Sequence, residues 1–141
     1  MKYYLDSNVF IYSILDTGTK GEAARKLLKA MENGVFYGAT APVSFKEIMF
    51  VVWKEKGRQE AVEAGESFLQ LANMEMIGLE KGALSAAIEY VKRGMKPRDA
   101  VHCGAMKTKN LSEIVTEDSD FKKLSEMRKY GILEFCKKLK L

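Results

Sequence analysis

Short apolar runs alternate with amphipathic stretches along the whole chain, and this alternation limits the fold more than any single residue does. Tyr3-Tyr4-Leu5 reads as a first strand ending at Asp6. Ser7 is a good N-cap for a helix whose buried side is Val9, Phe10, Ile11, Ile14 and Leu15. Residues 22–32 form a second helix stopped by Asn33-Gly34, and Val35 to Ala39 is a strand. Ser44 followed by Glu47 has capping-box spacing, which predicts a helix from there to about Lys56, closed by Gly57. A further helix carries Ala61, Ala64, Phe68 and Leu71, and Met74 to Leu79 is a strand. Leu84, Ala87, Ile88 and Val91 outline the next helix, ended by Gly94; Pro97 suits the first turn of another over Asp99 to about Lys109. Glu113 to Thr116 reads as a strand, Asp118 to Met127 as helical and Ile132 to Phe135 as a last strand. Alternating β and α elements predict an α/β fold, a parallel sheet with helices on both faces. The 141 residues suit a single domain, 1–141, and 47% hydrophobic content is enough to bury a core without staples.

In such a sheet ligands bind outside the carboxyl ends of the strands. Asp6 and Asp118 follow strands, and Glu47 and Asp99 sit in first turns of helices, so all four fall on that rim; Asp120 is close enough to join Asp118. Gathered carboxylates repel one another and need protons or cations between them. An all-oxygen donor set without His or Cys spacing suits Mg²⁺ or Mn²⁺ rather than Zn²⁺. Each acid also has a structural reading: Asp6 and Asp118 as helix N-caps, Glu47 as the partner in its capping box, Asp99 as a complement to a helix dipole.

The residues themselves then resemble a known family. Leu5-Asp6-Ser7-Asn8-Val9, Ser44-Phe45-Lys46-Glu47-Ile48, Arg98-Asp99-Ala100-Val101-His102-Cys103-Gly104-Ala105 and Val115-Thr116-Glu117-Asp118-Ser119-Asp120-Phe121 occur in the order and spacing of PIN domains. Within that superfamily they are similar to the VapC toxins of VapBC toxin–antitoxin pairs. The resemblance implies a PIN fold and a metal-dependent endoribonuclease with RNA as substrate, an antitoxin partner and a homodimeric state. It places Asp6, Glu47, Asp99 and Asp118 as the catalytic acids, with Asp6, Asp99, Asp118 and Asp120 toward the metal. Asn8 and Thr116 match polar residues that orient the acids. A PIN nuclease of RNA processing without an antitoxin, and a non-cleaving scaffold that binds RNA or protein, are the alternatives.

Charge adds a weaker pointer. The chain carries +4, and from Phe121 onward Lys122, Lys123, Arg128, Lys129, Lys137, Lys138 and Lys140 face only Glu126 and Glu134. This stretch is either a solvated face or an RNA-contacting edge, with Lys122 and Lys123 nearest the acids and Arg98 beside Asp99 a further phosphate contact. His102 shares a helix face with Asp99 and is read as a packing or hydrogen-bonding residue, with a ligand or general-base role as the alternative. Aspartyl phosphatases of the haloacid-dehalogenase type open with D-x-D, and Asp6-Ser7-Asn8 lacks the second acid. A receiver domain needs paired early acids and a late lysine at a strand end, which are also missing. No stretch is apolar and long enough for a membrane span, and two isolated cysteines without a signal peptide predict a cytoplasmic setting.

Overall fold

A computed structural model describes all residues, 1–141. The chain runs β1 (Lys2–Leu5), α1 (Ser7–Leu15), α2 (Thr19–Glu32), β2 (Tyr37–Thr40), α3 (Pro42–Lys56), α4 (Arg58–Leu69), β3 (Met74–Met76), α5 (Lys81–Lys92), α6 (Pro97–Thr108), β4 (Glu113–Val115), a 3₁₀ turn (Ser119–Lys123), β5 (Arg128–Tyr130) and α7 (Ile132–Lys138). The sheet is wholly parallel, in the order β3-β2-β1-β4-β5. The chain builds outward from β1 through β2 to β3, then crosses back to lay β4 and β5 on the other side. The crevice beyond the carboxyl ends of β1 and β4 is therefore the switch point of the topology, where side chains from both halves meet.

Helices cover both faces, as expected. Successive residues of β1 point to opposite sides: Tyr3 and Leu5 enter a core with Phe10, Leu27, Met31, Phe68 and Phe135, while Tyr4 enters a second core with Cys103, Met106, Ile114 and Phe121. Strands buried on both faces cannot show a polar alternation, which is why they read as short solid apolar runs. The second core depends on close approach of α5 and α6. A Cβ at Gly104 would lie 2.2 Å from the carbonyl oxygen of Ala83, so these helices pack backbone to backbone.

Several local expectations need correction. Asp6, not Ser7, caps α1: its carboxylate accepts the Ser7 backbone N–H at 2.7 Å. The Ser44–Glu47 capping box does not form, because α3 already starts at Pro42; the Ser44 hydroxyl accepts from Thr40 at 2.8 Å and Glu47 points toward α6. The helix expected over Asp118–Met127 is only the 3₁₀ turn. Its buried anchors Phe121, Leu124 and Met127 recur every three residues, a spacing that one face of an α-helix does not sustain. Finally, Ile132–Phe135 is not a strand but the start of α7, where Ile132, Phe135 and Cys136 are buried at helical spacing and Leu133 is exposed. The last strand is instead Arg128–Tyr130, whose charged residues suit an edge. The β3 strand is also shorter than expected, ending at Met76.

Substituting Gly104 tests the packing. Gly104→Ala forces α5 and α6 apart and is expected to lower stability by about 1–3 kcal/mol. Urea unfolding of the two proteins measures it; an unchanged midpoint would mean that the helices separate freely.

Candidate active site

Asp6 lies directly after β1, and its backbone N–H continues the sheet pairing to Val115 O at 3.1 Å. Its side chain is fully buried. Oδ2 accepts from Thr116 Oγ1 at 2.6 Å and Asn8 Nδ2 at 3.3 Å. Oδ1 accepts from the Ser7 N–H at 2.7 Å, the Ser7 hydroxyl at 3.3 Å and Arg98 Nη2 at 2.7 Å. Thr116, the residue after β4, also accepts from Asn8 at 3.1 Å and from the Asp118 N–H at 3.0 Å. Asn8 Oδ1 accepts the Glu117 N–H at 3.2 Å. Asn8 and Thr116 thus tie the loop that carries Asp118 to the loop that carries Asp6.

Asp99 sits in the first turn of α6, buried, with Asp118 and Asp120 beyond β4. One carboxylate oxygen from each of Asp99, Asp118 and Asp120 lies within 4.8 Å of the others. Asp118 caps the 3₁₀ turn by accepting the Asp120 N–H at 2.9 Å. The capping readings of Asp6 and Asp118 therefore hold geometrically, and they do not take either residue out of the cluster. Burial, and then the nearby negative charge of Asp118, pushes the Asp99 carboxyl above the ordinary Asp range.

Arg98 joins the remaining acids. Its Nη2 donates to Asp6 and to the Ser7 hydroxyl at 2.7 Å, Nη1 donates to Asp99 at 2.5 Å, and Nε donates to Glu47. Sequence reasoning set Arg98 beside the cluster, not within it. The signal available was its position next to Asp99 at the start of a helix, which an exposed ion pair explains equally well. Burial works to raise the Glu47 carboxyl, but hydrogen bonds from His102 and Arg98 outweigh it and leave Glu47 below its usual range.

His102 is fully buried and lies among these groups as a hydrogen-bonding residue, one of the readings its helix position allowed. Its Nδ1 is 2.5 Å from the Tyr4 hydroxyl, and its Nε2 is 3.3 Å from Glu47 and 3.5 Å from Asp6. Burial, reinforced by the Asp6 charge, holds the Tyr4 phenol well above its ordinary pKa, so Tyr4 keeps its proton and donates it to Nδ1. Nε2 then carries a proton toward Glu47. Tyr4 had no sequence signal beyond membership of a core strand.

Lys122 and Lys123 are exposed on the 3₁₀ turn; Lys123 lies 3.6 Å from Asp120, and Lys96 3.8 Å from its other oxygen. A separate apolar groove of about 360 Å³ runs between α1, α3 and α4, lined by Phe10, Ile14, Ile48, Val52, Phe68 and Leu71 among others. No helix is long and apolar enough to cross a membrane.

Compared with known proteins, residues 3–127 match the model of the PIN domain. The chain belongs to the PIN domain family. No curated protein matches the sequence significantly. Among solved structures, PIN-fold similarity spans almost the whole chain. VapBC2 from Rickettsia felis, solved bound to a DNA fragment from their promoter, shares 18% identity over 93% of this chain and 98% of that chain, with a TM-score of 0.70. VapC20 of Mycobacterium tuberculosis, described as a sarcin-ricin loop cleaving toxin, shares 16% identity over 85% and 92%, with a TM-score of 0.71. DNA-bound VapBC from Salmonella typhimurium shares 17% over 94% and 98%, also at 0.71. At these identities the likeness establishes the PIN fold.

The raised Asp99 carboxyl makes a signed prediction. A group whose folded pKa is raised favours the fold when protonated, and that contribution is lost as pH rises through the folded value. In metal-free buffer Asp99→Asn is therefore expected to melt above the parent at neutral pH. The gap should close as the pH falls into the acid range and the parent's Asp99, its carboxyl raised, takes up its proton. Thermal melts of both proteins across this range read it; a gap that widens toward acid would contradict it.

Proposed function

We propose that this PIN domain is a metal-dependent endoribonuclease and the toxin of a type II toxin–antitoxin pair. The observation that carries the reading is the convergence of Asp6, Glu47, Asp99, Asp118 and Asp120, from four separate segments of sequence, on one crevice at the carboxyl edge of the sheet. A fold has no structural reason to bring that many acids together, since each added charge raises the cost of the others. Asp99, Asp118 and Asp120 offer only carboxylate oxygens to a cation, a donor set that fits Mg²⁺ or Mn²⁺. Asp6 would complete it from the β1 side. When bound, a divalent ion supplies a polarised phosphate oxygen and a more acidic water.

The chain's own residues do the rest. Asp6 and Asp99 set the negative floor of the crevice. Thr116 and Asn8 fix the orientation of the Asp6 carboxylate by occupying Oδ2. Glu47, less buried than Asp6, stays ionised at neutral pH and holds its place through His102 and Arg98, available to orient water at the open side. Asp118 and Asp120 present their charges together because the 3₁₀ turn fixes the spacing between them. Lys122, Lys123 and Arg98 are proposed to meet RNA phosphates.

The antitoxin is proposed to seat an apolar segment in the groove between α1, α3 and α4, where Lys56, Glu60 and Glu63 provide a charged margin. The similar VapBC structures support a partner of this kind. The same resemblance supports a homodimer, and Leu84, Ile88 and Val91 on α5 are exposed apolar residues compatible with one.

The central test is cleavage of a single-stranded RNA by the partner-free protein. Activity is expected to vanish in EDTA and to return with Mg²⁺ or Mn²⁺. Asp6→Asn and Asp99→Asn are each expected to cut at least roughly 10²-fold more slowly, the scale at which lost electrostatic stabilisation shows. EDTA-resistant cleavage, or full activity in both variants, would refute the reading.

The basic edge is tested separately. Replacing Lys122 and Lys123 by Gln is expected to weaken RNA binding and to flatten its salt dependence by about one unit of slope for each phosphate that is no longer neutralised. An unchanged slope would mark these lysines as a solvated face.

A further inference from the structure

Asp6 has no free lone pair for an added ligand. A carboxylate has about four acceptor sites, and Asp6 already receives the Ser7 N–H, the Ser7 hydroxyl, Asn8, Thr116 and Arg98. A cation can take Asp6 only by replacing one of these donors. The Ser7 N–H belongs to the first turn of α1, and Ser7, Asn8 and Thr116 have short side chains on backbone fixed by α1 and by the end of β4. Arg98 differs from all of them. It reaches in from the first turn of α6 on a long flexible stem, and its side chain is 36% exposed while that of Asp6 is 0%. It is the one donor that can leave without disturbing the fold.

Charge favours that departure. Arg98 is shared by Asp6, Glu47 and Asp99, and Asp99 also belongs to the group with Asp118 and Asp120. A cation held by that group would sit on the same carboxylate as the guanidinium, and the two would repel. A divalent ion also brings twice the charge to a crevice in which five carboxylates outnumber one arginine.

We propose that Arg98 is an exchangeable counterion. It neutralises Asp6, Glu47 and Asp99 while the site holds no metal, and a divalent ion that takes Asp6 as a ligand displaces it. The idea rests on the metal-dependent reading above and adds that this chain carries its own competitor for the ion. The metal affinity is then the difference between two cations' hold on the same acids. The displaced guanidinium remains at the mouth of the crevice, where an RNA phosphate can take the place of its former partners.

The test compares the parent with Arg98→Gln, which removes the charge and keeps a polar side chain. Mn²⁺ alone is the probe, with free ion followed by its electron paramagnetic resonance. Arg98→Gln is expected to bind Mn²⁺ at least about tenfold more tightly, to melt lower without metal, and to gain more melting temperature on Mn²⁺ addition. In the parent, the Nε–Hε resonance of Arg98, identified by its loss in the variant, is expected to move on titration with diamagnetic Mg²⁺ and to saturate with binding. That measurement stands even if Arg98→Gln folds poorly, and Arg98→Lys then supplies the assignment. Equal Mn²⁺ affinity with an unmoved resonance would overturn the proposal, because Arg98 would be staying beside the ion. Weaker binding by Arg98→Gln would overturn it too, because Arg98 would be helping to build the site. Both results leave the metal centre standing, whereas no Mn²⁺ binding by either protein would bring down the metal reading itself.

Discussion

The Asp6 carboxylate is buried at the end of the central strand, and a buried charge is tolerated only when it is paired and hydrogen-bonded. The fold meets that demand from every direction. The first turn of α1 supplies a backbone donor, Asn8 and Thr116 come from the segments after β1 and β4, and α6 supplies Arg98. Because the donors come from α1, the end of β4 and α6, satisfying one carboxylate aligns these elements with one another. Removing one partner of a buried ion pair typically costs roughly 3–5 kcal/mol, and the cost at Arg98 is smaller because its side chain reaches solvent. Asp6 is in this sense the keystone of the crevice.

That role explains the layout around it. Two apolar cores, one on each face of the sheet, hold β1 and β4 in register while acids crowd their ends. The stabilising and destabilising parts are thus separated along the strands, with packing below and like charges above. Asp99 shows the cost directly, since burial and the neighbouring Asp118 both disfavour its ionised form. Glu47 shows the remedy, because His102 and Arg98 keep it ionised despite burial. The Tyr4–His102 pair carries this support into the second core, so one side chain of the central strand packs there and also steadies the site.

Much of this was legible in the sequence. The βα alternation pointed to the parallel sheet and the helices on both faces, because strands covered on both sides must be apolar throughout and helices covered on one side must be amphipathic. The acids Asp6, Glu47, Asp99, Asp118 and Asp120 could be picked out because each follows a strand or opens a helix, and in a parallel α/β sheet all such positions lie at one edge. The misreadings were local. Ile132–Phe135 looked like a strand because adjacent apolar residues hide a helical period when one of them, Leu133, faces solvent. The Ser44–Glu47 box has the right spacing, but Thr40 and Arg98 offered those side chains better partners than the backbone did.

By itself the sequence determined the class of fold, the edge on which chemistry would gather and the acids that gather there. These follow from periodicity and from the fixed polarity of a strand followed by a helix, which are local properties. Only the tertiary structure decided which cation stands among those acids. Arg98 and Asp6 are separated by most of the chain, and nothing in the spacing of Arg98 distinguishes a guanidinium lying in solvent from one shared by three carboxylates. The same holds for Tyr4 and His102, whose contact depends on α6 packing across β1. Such pairings are set by where the elements come to rest, because a hydrogen bond depends on distances of a few tenths of an ångström that no local pattern encodes.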